Sequence, residues 1–203
     1  MNNSRILITG AGGFVGIHLA KILSAKNNFI TGLMLESQKN KYLDKTIFCD
    51  ITNMEDLIKI KTLDFDYIFH LAAHTNIKEG ILNPLNDLEI NFLGTFNLIE
   101  IFRNKTIKSF NFISSVSVLS SKNKLPLAEN ATYGPSTPYA ASKMSAEAYL
   151  KAYSKCFNLP IKIIRLFNVY GPGRSGLVVD DFINKLLVNN KTLEIMGDGE
   201  QIR

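Results

Sequence analysis

With 203 residues, 46% of them hydrophobic and 20% charged, the chain can bury a real core and falls outside the range of disordered sequences. A net charge of +5, from lysines spread along the chain without interleaved aromatics, argues for solvated faces and against a nucleic-acid partner. Two cysteines without metal-ligand spacing, and no apolar run near the ~20 residues that span a bilayer, lead to the expectation of a cytoplasmic protein with reduced thiols, no metal and no membrane partner.

Short apolar runs then alternate with segments of helical period. RILITG (5–10) reads as a buried strand and residues 14–28 as an amphipathic helix. FITGLML (29–35) and TIFCD (46–50) follow as strands, and Thr52 with Glu55 has capping-box spacing for a helix to about Lys61. DYIFHLAA (66–73) is the most apolar strand. Asn83 and Pro84 open a helix to about Arg103. A strand over 109–119, a helix over 138–157 and a strand over 161–167 complete the series. After Phe167 a turn-rich loop leads to a short helix (about 180–189), a strand (192–196) and GDGEQIR. The alternation predicts an α/β fold, a doubly wound parallel sheet with helices on both faces. Residues 1–166 form the sheet domain, and 167–203 begin something smaller.

TGAGGFVG (9–16) stands between the first strand and the first helix. Gly10, Gly13 and Gly16 meet three needs: a tight turn, backbone close to a phosphate, and a helix packed hard on the strand. Phe14 and Val15 open that helix, whose unpaired N–H groups and partial positive charge would face a pyrophosphate. A bound dinucleotide is the prediction. An acid about 20 residues on normally holds the ribose 2′-hydroxyl. Glu36 stands near that distance, slightly past the strand end at Met34. Lys39 or Lys41 could instead meet a 2′-phosphate, so NAD is favoured and NADP stays open. His18 reads as packing.

In TPYAASKMSAE (137–147) the helix-forming composition puts Tyr139 and Lys143 one turn apart on one face. Such pairs are common on ordinary helices. Beside a dinucleotide the pair gains chemistry: a free phenol, with a pKa of about 10, is a poor base. A neighbouring ammonium and a positive nicotinamide ring would both favour phenolate.

Eight segments in order, TGAGGFVG (9–16), CDI (49–51), HLAA (70–73), NFLGTFNLIE (91–100), SSVSV (114–118), YAASK (139–143), RLFNVYGPG (165–173) and GDGEQIR (197–203), give the chain its resemblance. It resembles the NAD-dependent epimerase/dehydratase family of extended short-chain dehydrogenases/reductases, nucleotide-sugar enzymes of the UDP-glucose/UDP-galactose 4-epimerase kind. The resemblance implies a Rossmann domain over 1–166 and a partial, apparently truncated substrate-binding domain over 167–203. It implies cofactor contacts from Asp50, Ile51, Leu71, Ala72, Ala73 and Asn91, with Gly94 packed close beside them. Ser115, Tyr139 and Lys143 would be catalytic, Ser115 sharing the sugar hydroxyl. Asn168 would meet the substrate diphosphate and Arg203 would contact the nucleotide. A homodimer through helices near 84–103 and 138–157 is implied as well.

The implied reaction removes a proton from a sugar hydroxyl through Tyr139 while hydride passes to the cofactor, and then returns hydride to the other face. The family's dehydratases and decarboxylases carry carboxylates just after the Ser or Thr, where this chain has Val116 and Ser117. The expected activity is therefore a nucleotide-sugar 4-epimerase using NAD. An NADP-dependent keto-sugar reductase is the second reading, and a non-catalytic dinucleotide sensor or scaffold the third.

Overall fold

The computed structural model describes residues 1–174, 178–188 and 192–193. The chain divides into two compact units, Met1–Phe167 and Asn168–Arg203. In the second, the described element is α7 (Val178–Val188), with Asp180 and Asp181 in its first turn and Lys185 in its last, the order that suits a helix dipole. Of the strand expected over 192–196, only 192–193 lie among the described residues, and they are not strand.

The first unit is built on six parallel strands: β1 (Arg5–Thr9), β2 (Phe29–Met34), β3 (Lys45–Phe48), β4 (Tyr67–His70), β5 (Ser109–Ser115) and β6 (Ile161–Leu166). Their spatial order is β3-β2-β1-β4-β5-β6. The chain runs outward from β1 to β3, crosses back, and runs outward again from β4. The order reverses between β1 and β4, and in such sheets ligands bind in the crevice beyond the strand ends at that point. Thr9 pairs in register with His70, so both strands end at the same level there.

Side-chain alternation divides the core between the two faces. Ile6 and Ile8 join Ala20 and Leu23 of α1 (Phe14–Ser24) on one side. Leu7 faces the larger cluster, filled from α2 (Met54–Lys61) by Leu57 and Ile60, from α5 (Gly94–Phe102) by Leu98 and Phe102, and from α6 (Pro138–Phe157) by Ala146 and Leu150. Phe102 lies edge-on to Phe65 and to Phe110, each with ring centroids 6.3 Å away, and is fully buried. Phe102→Ala is expected to cost about 3–5 kcal/mol, through lost transfer energy and the cavity left behind. Urea denaturation measures it, and a loss below about 1 kcal/mol would mean that the site collapses freely.

The α/β expectation holds, and three local readings change. The helix expected over 83–103 runs as α4 (Pro84–Asp87), a π-helical turn (Leu88–Leu93) and α5 without a gap, and a further short helix, α3 (Ile77–Leu82), precedes it. The α3 start is marked by a reciprocal cap: Asn76 accepts from the Glu79 amide and its Nδ2 donates to Glu79 Oε2 at 3.3 Å. The strand over 109–119 ends at Ser115, whose hydroxyl accepts the Ser117 amide and turns the chain into a 3-10 turn, Val116–Val118. Asn53, not Thr52, caps α2; the Thr52 hydroxyl donates instead to Asp50 Oδ1 at 2.8 Å.

Candidate active site

At the end of β1 the backbone of Gly10 takes φ +64°, a conformation that glycine adopts without strain. A side chain there would also collide with β4's continuation, since a Cβ would stand 2.7 Å from the Ala72 nitrogen. At Gly16 a Cβ would lie 2.4 Å from the Gly10 carbonyl oxygen. The missing side chain lets α1 settle onto the turn, and the Gly13 amide closes that turn on Gly10 O at 3.0 Å. Gly13 is the N-cap of α1 and makes no side-chain cap, and the first turn carries no acid. The helix therefore offers amides and positive potential rather than satisfying them itself. Phe14 and Val15 begin this helix, with the Phe14 ring tilted on His18 at 4.7 Å.

Because both close neighbours of Gly16 are backbone, an added methyl cannot be absorbed by a side chain swinging away. Gly16→Ala is expected to cost about 1–3 kcal/mol through overpacking and to open the turn. The melting temperature and the dinucleotide content after gel filtration report it; no change in either would show that the turn has room.

The remaining rim comes from four segments. Glu36 is exposed past β2, while Gln38 lies against Gly12 and Asn40 donates to Ala11 O at 2.8 Å. The residues touching the glycine turn from this loop are therefore Gln38 and Asn40. Asp50 is exposed and spends Oδ1 on Thr52, capping its own turn. Ile51 is buried against Gly94, where a Cβ would stand 2.7 Å from Ile51 Cδ1. The neighbour that explains Gly94 is thus the loop after β3. Leu71, Ala72 and Ala73 continue β4 along the crevice: the Leu71 amide donates to Thr9 O at 3.2 Å and the Ala72 amide to Thr9 Oγ1 at 3.1 Å.

Below this rim runs a buried hydrogen-bond chain that sequence reasoning missed. Thr95 Oγ1 donates to Asn91 O at 2.7 Å, so it accepts from His70 Nε2 at 2.8 Å; His70 Nδ1 then accepts from Thr9 Oγ1 at 2.7 Å. Burial, helped by the charge of Lys143, pulls the imidazole down to about 3, so His70 is neutral. Asn91 is fully buried and its amide is used inside the protein: Oδ1 accepts from the His74 amide, and Nδ2 donates to His74 O and to Ser142 Oγ. Asn91 thereby fixes the 71–74 edge to α6. His74 in turn pairs through Nδ1 with the buried Asp87 at 2.7 Å, which raises its pKa against the cost of burial. Asn91 Nδ2 also stands 3.4 Å from Asp87 Oδ1, four positions earlier across the π-helical turn.

α6 carries the tyrosine and lysine. Thr137 caps it by accepting the Ala140 amide, and Pro138 supplies its first turn. Tyr139 is half-buried, and burial raises its phenol above the ordinary value; a hydrogen bond from Ser115 opposes this, while the Asp87 charge adds to it. Ser115, at the end of β5, is thus near Tyr139, and its hydroxyl accepts from the Ser117 amide and hydroxyl. Lys143 is buried, with Nζ over the Phe112 ring at 4.2 Å, and burial pulls its ammonium down to about 7 against the pull of Glu147. The sequence argument took that cation for granted; in the structure its charge is contested. Asn168, the first residue of the second unit, is exposed, and Arg203 lies outside the described residues.

Among the described residues no metal-binding cluster occurs and no helix is long and apolar enough to cross a membrane. A family model described as "NAD dependent epimerase/dehydratase family" matches residues 6–203. A putative UDP-glucose 4-epimerase of Methanocaldococcus jannaschii is 36% identical over 209 residues, covering 98% of this chain and 68% of that protein. A dTDP-D-glucose 4,6-dehydratase of Dictyostelium discoideum is 32% identical over 232 residues, covering 98% and 51%. The crystal structure of UDP-glucuronic acid 4-epimerase from Bacillus cereus with UDP-glucuronic acid and NAD superposes with a TM-score of 0.81 at 29% identity, covering 97% of this chain and 67% of that one. The chain thus spans from 51% to 68% of the length of these curated relatives. Since the match runs from the first strand to the last residue, this protein belongs to the NAD-dependent epimerase/dehydratase family.

Proposed function

We propose that the chain is the cofactor-binding and catalytic part of an NAD-dependent nucleotide-sugar 4-epimerase. One observation carries the reading: Ser115 lies close enough to Tyr139 to draw its phenol down, with Lys143 one turn further along the same helix, in a sheet whose switch point holds a glycine turn and an uncapped helix start. The fit for a dinucleotide rests on the tight Gly10 turn and on the start of α1, which has no side-chain cap and no acid in its first turn. Bound NAD would supply the hydride acceptor and donor. Gly10, Gly13, Phe14, Val15 and Gly16 would hold its pyrophosphate, and Leu71, Ala72 and Ala73 its inner edge. Glu36, Asp50 and Ile51 stand on the adenosine side, with Gln38 added by its contact with Gly12.

Tyr139 would take the proton of the sugar 4-hydroxyl, with Ser115 sharing the hydrogen bond, and return it after the keto-sugar has turned over. Lys143 would hold the nicotinamide ribose and favour phenolate. Val116 and Ser117 bring no carboxylate to this spot, which favours epimerisation over dehydration. The named 4-epimerases among the relatives point to a UDP-sugar substrate. Asn168, as a diphosphate ligand, and Arg203, as a contact to the nucleotide, complete this proposal. A homodimer completes it too, supported by the exposed Leu85, Leu88, Leu93 and Tyr149 on the α4–α6 side. So does a cytoplasmic site of action, supported by the unpaired Cys49 and Cys156.

Exposed Lys39, next to Gln38, favours the second reading, a keto-sugar reductase using NADPH. Mass spectrometry of the purified full-length protein separates the two: retained NAD and interconversion of UDP-glucose with UDP-galactose, or of another UDP-sugar with its C4 epimer, support the epimerase. Empty protein that consumes added NADPH would overturn it.

A further inference from the structure

One helical turn beyond Lys143 lies a group of charges built around a buried carboxylate. Glu147 sits one helical turn beyond Lys143 on α6 and is fully buried. Arg165 of β6 grips it with both arms, Nε to Oε1 at 2.9 Å and a terminal nitrogen to Oε2 at 2.7 Å. The Tyr133 hydroxyl, from the loop before α6, donates to Oε2 at 2.6 Å, and Lys151 Nζ stands 3.9 Å away. Arg165 is itself fixed, since its other terminal nitrogen donates to Glu129 O at 2.9 Å and its guanidinium lies over the Tyr133 ring at 5.0 Å. Burial pushes the Glu147 carboxyl up, but these donors outweigh it and leave the carboxyl below its ordinary range. It is an anion at neutral pH.

Such a cluster could serve packing alone, were it not for its neighbour. The surroundings of Lys143 are an aromatic ring, Phe112 of β5, a neutral imidazole, His70 of β4, and Tyr139 on its own helix. Asp87 of α4 bears on Tyr139 rather than on the lysine. Glu147 is the charged group that draws Lys143 back toward its protonated form. A buried ammonium lacking a counter-charge gives up its proton. A neutral amine would neither favour a phenolate nor offer three donors to a ribose.

We propose that Glu147, held ionised by Arg165 and Tyr133, is a positioning residue that keeps Lys143 protonated in its buried place and thereby sets the upper pH limit of turnover. The inference rests on Tyr139 and Lys143 being the catalytic pair. It makes the catalytic cation depend on a β6 arginine and on a loop tyrosine that never meet the reacting atoms.

The test follows the protonation of Lys143 directly, in full-length protein carrying lysine labelled with carbon-13 at Cε, with the signal assigned by its loss in Lys143→Met. Wild-type Lys143 is expected to titrate at about 7. In Glu147→Gln the midpoint falls by about one unit or more, and Glu147→Asp, which keeps the charge, restores most of it. The alkaline limb of the kcat profile moves down in step, while cofactor content stays that of the wild type. If Glu147→Gln does not fold, the double variant Glu147→Gln/Arg165→Gln replaces the ion pair by an amide pair, an exchange that buried pairs often tolerate. It should show the same direction of shift. A folded variant with a lower melting temperature but an unmoved Lys143 midpoint would reduce Glu147 to a packing role and overturn the proposal. A wild type without epimerase activity would sink the functional reading instead, and would leave the titration to stand or fall by itself.

Discussion

Tyr139→Phe is expected to lower kcat by about 10²–10⁴-fold, the usual contribution of a placed proton-transfer group. Cofactor content should not change. The variant keeps the ring that fills this half-buried place and removes only the oxygen shared with Ser115. In the protein alone, burial and the Asp87 charge hold the phenol above its ordinary range, so it rests as a neutral donor. It becomes an acceptor only when positive charge is brought to it, by the oxidised ring of the cofactor and by Lys143. The cost should therefore fall on turnover, with the KM for the sugar within a few-fold of wild type. Full-length enzyme assayed with UDP-sugar decides it. Turnover within a factor of about ten of wild type would take the tyrosine out of the proton transfer.

Lys143→Met should abolish turnover and yet stabilise the protein. The wild-type side chain is 2% exposed, and burial pulls its pKa from 10.5 to about 7. Each unit represents about 1.4 kcal/mol between the two protonation states, so the buried charge costs on the order of a few kcal/mol. Methionine fills the same narrow space without a charge. The pH dependence has a definite sign. Between about 7 and 10.5 the unfolded chain binds the proton that the folded chain has lost. Wild-type stability from this group accordingly rises with pH across that window, and the full penalty is present below it. The advantage of Lys143→Met should be largest at or below neutral pH and fade toward pH 10.5. Denaturant titrations of both proteins at three pH values measure it. Equal stability at pH 6 would mean that the ammonium is well solvated or well paired where it lies.

The parts of this protein that could be read from sequence were those in which one local rule dominates. The glycine turn was legible because Gly10 and Gly16 each exclude any side chain for a backbone reason, and the alternating strands because Ile6, Leu7 and Ile8 all face apolar surroundings. Tyr139 and Lys143 were legible as a pair from helical spacing alone. The charge state of Lys143 was not, since it depends on Phe112 and Glu147 closing around it. The bonds of Asn91 were not legible, because nothing local announces that His74, 17 positions earlier, will use both ends of its amide. The additional helix before the 83–103 span, α3, did have a signal in the Asn76–Glu79 cap. The π-helical turn had none.

The line of hydroxyls and imidazole from Thr9 through His70 to Thr95 has a consequence for how such a chain can evolve. Every link has its donor and acceptor end assigned, so no member can be exchanged for a residue of the opposite polarity without stranding the next. Three codons far apart in the gene are bound into one inherited unit, and drift at any of them must wait for the others.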